Sequence, residues 1–142
     1  MISIHKAHEW PLIKLMRYMP DIGECFQKLE NRFPGDVTVE SLFRDYLSGN
    51  KVLWIVLDGE ELLSVAMTNI RTVEATGKKI ASVMDLAGKD RNVFSDELNQ
   101  TLEAWAKENG ADTFAIEGRP GWSKLAKKYG YTPYAVQWRK EV

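Results

Sequence analysis

The chain has 142 residues, the size of one ordinary domain and enough to bury a core without disulfide or metal staples. Hydrophobic residues at 44% and charged residues at 27% exclude an unfolded polar chain, and 19 Lys plus Arg against 20 Asp plus Glu exclude the global basic field of a non-specific nucleic-acid binder. The single cysteine, Cys25, excludes an intrachain disulfide and a thiolate metal cluster.

Met1–Lys6 lacks the charged start, apolar run and small-residue cleavage site of a signal peptide. The longest apolar run, Val52–Leu57, is far too short to span a bilayer. No repeat, low-complexity tract or linker divides the chain, so residues 1–142 are expected to form one unit, soluble and cytoplasmic, with no membrane partner.

In chain order, the first third reads as helical. His5, His8 and Glu9 lie at an expected frayed end and lack a third histidine, so no metal site is assigned there. Pro11 opens a helix with Leu12, Leu15, Met16 and Met19 on one face, and Pro20 is expected to end it. A second helix carries Ile22, Phe26, Leu29 and Phe33, with Cys25 as a small helix residue. A third starts at Thr38 as N-cap and is expected to bury Leu42, Phe43, Tyr46 and Leu47.

The pattern then changes to strands. Val52–Leu57 is short, apolar and β-branched, and Asp58-Gly59 is a hairpin signal. Glu61–Val73 and Lys79–Leu86 follow as strands, then a loop from Ala87 to Phe94. Ser95 is the expected N-cap of a helix with Asp96 and Glu97 in its first turn and Leu98, Leu102 and Trp105 on its buried face; Gly110 closes it. Asp112–Glu117 reads as a strand, Gly118–Gly121 as a tight loop, Trp122–Tyr129 as a short helix closed by Gly130, and Tyr134–Lys140 as a last strand. A helix between the strands at Lys79 and Asp112 makes that pair parallel. Lys124, Lys127 and Lys128 form a basic face on the last helix, read as solvated.

This order, with Leu98…Leu102…Trp105-Ala106…Gly110-Ala111 and Gly130-Tyr131, resembles the GNAT superfamily of acyl-CoA N-acyltransferases. Leu53-Trp54 and Gly118-Arg119…Gly121-Trp122…Leu125…Gly130-Tyr131 are similar to small GNAT-like proteins of tailed phages, some of them internal virion proteins. The resemblance covers residues 50–142 by motif and the first third by topology. It implies an α/β (α+β) fold: a mixed, mostly antiparallel twisted sheet with a central parallel pair, flanked by helices.

The resemblance also implies a function, transfer of an acyl group from acetyl-CoA to an amine. Acyl-CoA would lie where the parallel pair splays apart. Met84 and Leu86 would offer backbone to the thioester. Lys89, Arg91, Asn92 and Ser95 would face the pyrophosphate, together with Arg119. Three departures accompany it. The glycine positions of the family's phosphate loop carry Arg91, Val93 and Ser95; Asp96 and Glu97 set negative charge at the expected helix start; and the tyrosine that protonates the leaving thiolate in the family is replaced by Ala126. Tyr129, one turn on, and Tyr131 are the substitutes, and Asp85 and Glu117, at the two strand ends, are the candidate bases. Each residue also has a plainer reading: packing for Tyr129, a hydrogen-bonded strand-end acid for Asp85, and an ion pair of Glu117 with Arg119. The enzyme therefore stands beside an alternative, a non-catalytic virion component or phage factor that binds a host protein. No residue fixes an oligomeric state, though an oligomer is compatible with the edge strands expected.

Overall fold

The apolar run after Lys51 becomes the centre of a five-stranded sheet ordered β1-β2-β3-β4-β5, described over residues 1–142 by a computed structural model. The strands are β1 Ile2–Lys6, β2 Val52–Asp58, β3 Glu61–Thr72, β4 Lys79–Gly88 and β5 Thr113–Ile116. The first four pair antiparallel, and β5 runs parallel to β4 after a helical crossover. The parallel pair is therefore at the sheet edge, where the resemblance had placed it centrally, because no further strand follows β5.

Helices cover the two faces. On one lie α1 (Leu12–Arg32) and α2 (Val39–Leu47), whose Tyr18, Ile22, Cys25, Phe26, Leu29 and Leu42 meet Leu53, Ile55, Leu57, Val65 and Met67. On the other lies α3 (Arg91–Glu108), with Phe94, Leu98, Leu102, Trp105 and Ala106 on Trp54, Val56, Ala66 and Ala81. The alternation of Leu53 and Ile55 with Trp54 and Val56 is the period-two pattern that feeds both cores from one strand. Trp54 stacks edge-on against Trp105 at 5.6 Å, and its indole N–H donates to Thr68 Oγ1 at 2.8 Å, so the buried polar atoms are paired. No helix is long and apolar enough to cross a membrane.

Four expectations change. The N-terminal residues are not frayed: Ile2–Lys6 pairs with Trp54–Asp58 as an edge strand. Pro20 does not end a helix, since α1 runs through it. The pyrrolidine is on the exposed side, while Tyr18 and Ile22 on either side of it are buried, so continued core packing outweighs one lost ladder bond. The exposed side also takes Leu12 and Met16, and Leu47 at the end of α2, all expected in the core. Finally, Tyr134–Lys140 is not a strand; beyond the last helix, α4 (Ser123–Lys128), the chain is irregular and exposed. Thr38 does cap α2, with a reciprocal bond from its N–H to Ser41 Oγ at 2.9 Å.

Two predictions follow from this packing. Gly88 ends β4 with φ +155, and a Cβ there would stand 2.2 Å from the Leu63 carbonyl oxygen. Gly88→Ala is expected to lower unfolding stability by about 1–3 kcal/mol, read as a fall in urea midpoint at constant slope; an unchanged midpoint would show that β3 and β4 are not held this close. Burial pushes the Cys25 thiol from its ordinary 9.0 up to about 11, so thiolate is scarce at pH 8. A disulfide-exchange reagent at pH 8 should react at the rate of unfolding and faster only in denaturant; rapid labelling of the native protein contradicts this packing.

Candidate active-site cleft

The β4–β5 pairing lasts only four residues. Ile80, Ala81, Ser82 and Val83 face Thr113, Phe114, Ala115 and Ile116, and the last bond is Glu117 N–H to the Val83 carbonyl at 3.1 Å. At the same point β4 carries a bulge: Thr68 of β3 faces Val83 and Met67 faces Asp85, leaving Met84 as the extra residue. From there β4 continues to Gly88 along β3 alone, and the chain after β5 turns away through Gly118.

The bulge sets what β4 offers to the gap. Lys89 N–H donates to the Leu63 carbonyl at 2.9 Å, which fixes the phase of the antiparallel ladder. By the alternation of that ladder, Leu86 points its N–H and C=O away from β3, into the gap. The carbonyl receives Arg32 Nη1 from the end of α1 at 3.5 Å. The bulge also flips side-chain parity, so that Ala87 joins the α1 core and Leu86 packs against the α3 core.

The gap opens as a cleft of about 800 Å³ of atom-free space, open solvent included. It passes through the sheet. Leu29, Arg32 and Phe33 of α1 line it from one side, and Phe94, Ser95, Leu98 and Leu102 of α3 with Leu125, Ala126 and Tyr129 of α4 from the other. Most of its lining is apolar, with a few polar groups converging, which is the ordinary make-up of a small-molecule site.

Of the expected site residues, Met84, Asp85, Leu86, Arg91, Ser95, Glu117, Arg119 and Tyr129 all line this cleft. Asp85 is 7% exposed and its Oδ2 lies 3.2 Å from Lys51 Nζ, which is also 3.3 Å from Asp45 Oδ2. Glu117 is exposed on the opposite wall and forms no ion pair, with Arg119 or any other residue. Tyr129 donates its phenol proton to the Asp96 carboxylate, and Ser95 Oγ lies 3.1 Å away. Burial first, and the bond to Asp96 second, raise the tyrosine's pKa. Two expected residues are elsewhere. Lys89 is drawn to Glu61 at 2.5 Å, and Asn92 is exposed outside the cleft.

The largest local correction concerns α3. It begins at Arg91, four residues before the expected N-cap Ser95, with Asp90 in the left-handed region at φ 56 as its first cap residue. No acid stands in the first turn. Asp96 lies in the second turn, where Tyr129 and Lys128 occupy it. The bond from Tyr129, then that from Lys128, lowers its pKa, so the carboxylate is held ionised and turned toward α4. The helix start instead shows Arg91, whose guanidinium lies 4.9 Å from the Trp122 ring centre.

Sequence reading missed Arg32, Trp122 and Lys51 as parts of this site. Trp122 had a signal, the glycine four residues before it: a Cβ on Gly118 would stand 2.9 Å from Trp122 Cδ1, so the indole rests on that backbone. Arg32 and Lys51 had none, because each arrives from an element distant in the chain.

Solved structures share this architecture over whole chains. A Pyrococcus furiosus protein with a provisional acetyl transferase description is 21% identical, with TM-score 0.75 and all of both chains covered. Glucosamine-6-phosphate N-acetyltransferase from Arabidopsis thaliana is 14% identical, with TM-score 0.71 over 99% of this chain and 98% of that one. A GNAT family acetyltransferase from Staphylococcus aureus is 8% identical, with TM-score 0.67 over 99% and 98%. No family model matches the chain, and no curated protein matches it. The likeness at these identities is one of fold: this chain has the mixed α/β fold of GNAT acetyltransferases.

The Lys51–Asp85 pair makes a stability prediction. Lys51→Met leaves a nearly buried carboxylate unpaired and should cost about 1–3 kcal/mol, less than a fully buried pair because Lys51 is still partly wet. Adding Asp85→Leu should recover part of that loss. Urea unfolding of the single and double variants checks it; equal stability of Lys51→Met and the parent would show that the pair carries no charge coupling.

Proposed function

We propose that the cleft binds acetyl-CoA or a related acyl-CoA and that the protein transfers the acyl group to an amine. The observation that carries this reading is the coincidence, at one point of β4, of the bulge, the departure of β5 and the outward Leu86 amide. An N–H held on rigid backbone at the mouth of an apolar slot suits a carbonyl oxygen that gains negative charge during attack.

The residues present fit such a ligand. Arg91 and Arg119 on the α3–α4 side are free of carboxylate partners, and Arg91 opens α3, where Val93 N–H bonds the Asp90 carbonyl at 2.9 Å and the N–H groups before it precede the helical ladder. Phosphate oxygens of a nucleotide suit that end, and the apolar walls suit a thin, largely neutral arm. Acyl-CoA supplies an activated acyl group. The amine then has the other side of the sheet, where Asp85 lies one residue from Leu86 and is held in place by Lys51 at 3.2 Å. Asp85 is placed to take the proton released as the C–N bond forms. The Tyr129 hydroxyl faces the same cleft from α4 as a proton donor for a departing thiolate, with Asp96 orienting it. Glu117, unpaired on the opposite wall, is the second carboxylate within reach. The names of the structural relatives favour acyl transfer to amines in general, and no observation at this site favours a virion or host-binding role.

Saturating acetyl-CoA should raise unfolding stability, by about 2.7 kcal/mol at a hundred times its Kd. Arg91→Glu should weaken that binding about tenfold or more, about 1.4 kcal/mol. With an accepting amine, Asp85→Asn should cut turnover about a hundredfold or more while leaving acetyl-CoA binding intact. No stabilisation by acetyl-CoA at millimolar concentration removes the reading altogether; binding with unchanged turnover in Asp85→Asn moves the base to Glu117, tested by Glu117→Gln.

A further inference from the structure

The α1 side of the cleft holds a cation that nothing in the chain answers. Arg32, in the last turn of α1, is half-buried and lines the passage together with Leu29 and Phe33. Its one hydrogen bond crosses to the sheet, from Nη1 to the Leu86 carbonyl at 3.5 Å, and it belongs to no ion pair. The acids nearest along the chain are engaged elsewhere. Glu30 accepts from Gln27 and from the Val39 N–H, and Asp36 is held by Arg139. A guanidinium carries five N–H donors in a planar fork, so most of those on Arg32 are open to a ligand.

The neighbouring anion has the opposite imbalance. Asp85, the residue before Leu86, shares Lys51 with Asp45, at 3.2 and 3.3 Å. Two carboxylates against one ammonium leave a net negative charge on this group, and Asp85 is its member in the cleft. Arg32 reaches the backbone next to Asp85 without pairing with its carboxylate. One mouth of the cleft thus presents a cation and a net anion that are adjacent and not joined. Glu117 also lines the cleft, but on the opposite wall and unpaired with Arg32.

A zwitterion fits this pattern. We infer, resting on the acyl-transfer reading of the cleft, that the acceptor is a small amine of amino acid type, carrying a carboxylate or phosphate on the same molecule, and that Arg32 selects it. The ammonium lies toward Asp85 and the anionic group takes the Arg32 fork in paired, charge-assisted bonds. Leu29 and Phe33 flank that fork, and their apolar surface strengthens such bonds by thinning the water around them. A neutral amine leaves Arg32 unanswered, and a diamine sets a second cation against it, so the same residue attracts one class and rejects another. The anionic group does not react; it fixes the amine relative to Asp85 and the Leu86 amide.

Acetylation of glycine and of leucine, each against its carboxamide, and of aminoethyl phosphate against ethanolamine tests this, because only the anionic group differs within a pair. The anionic member of at least one pair should have the higher kcat/KM, by roughly ten- to a hundredfold, and the pair that responds tells carboxylate from phosphate. Arg32→Gln should bring that ratio close to one, mainly through KM, and Arg32→Lys should restore part of it. Calorimetric titration of the same amines into protein saturated with coenzyme A, which has no acyl group to transfer, should show the anionic member binding about tenfold more tightly to the parent than to Arg32→Gln. Equal kcat/KM within every pair overturns the proposal, as does a preference that survives Arg32→Gln, a diamine as the best acceptor, or neither turnover nor binding of any anionic amine. Each of these with acetyl-CoA still stabilising the protein leaves the acyl-CoA reading standing; no stabilisation by acetyl-CoA removes that reading and this proposal together. Should Arg32→Gln not fold, the ratios of the parent protein decide.

Discussion

The departure of β5 from β4 after Val83 is the constraint on which the rest of the molecule turns. A parallel partner reached through α3 can be short, because the crossover helix and not a hairpin positions it. Here it lasts four residues. Had β5 continued, the Leu86 N–H and C=O would be ladder groups and the space between the strands would be closed. Because it stops, the backbone of a rigid inner strand is left facing a slot, and the bulge at Met84 turns Asp85 toward α1 and Leu86 toward α3. One irregularity thus sends adjacent residues to opposite sides of the sheet, with the cleft passing between them.

The charges around the slot are organised by what each is tied to. Lys89 and Asp96, which could have faced it, are drawn aside by Glu61 and by the pair Tyr129 and Lys128. Arg91 and Arg119 are left without acidic partners, with the unpaired Glu117 beside Arg119 and Asp90 at the helix start, while the α1 side holds Asp85 fixed by Lys51. A protein of nearly neutral net charge therefore still sets two guanidinium groups free of ion pairs at one mouth of the passage and a paired carboxylate near the other. The whole-chain charge count could not show this, because it depends on which of the 39 charged side chains are already engaged.

Strands β2 to β5 and the parallel pair were legible in the sequence because Val52–Leu57 is a short apolar, β-branched run and Leu98…Trp105 keeps one helical face, whereas β1 was missed and Tyr134–Lys140 is not a strand. The errors share one cause, the weight given to local signals against distant contacts. Pro20 reads as a stop, but the buried face continues through Ile22 and Phe26 and overrides it. Ser95 reads as a cap, with two acids after it, but Phe94 is buried on the α3 face and extends the helix back to Arg91. Ile2–Lys6 has only five residues and gains its identity by pairing with Trp54–Asp58, which lies fifty residues away. The site divided in the same way. Asp85, Leu86, Arg91, Glu117, Arg119 and Tyr129 were accessible through strand ends and a helix start, while Arg32 and Lys51 enter only through tertiary approach.

The strand that shapes the cleft is also the one least supported by the fold. β5 has one neighbour, four residues, and no fully buried side chain. Its inner face is held by Phe114, which packs toward α3 and lies 6.3 Å from the Tyr131 ring, and Tyr131 is in turn fastened to Glu103 of α3 at 2.7 Å. This brace reaches one face of the strand; on the other face α1 packs mainly against β4. The position of Glu117 and Arg119 therefore rests on this brace and on the four-residue ladder to β4.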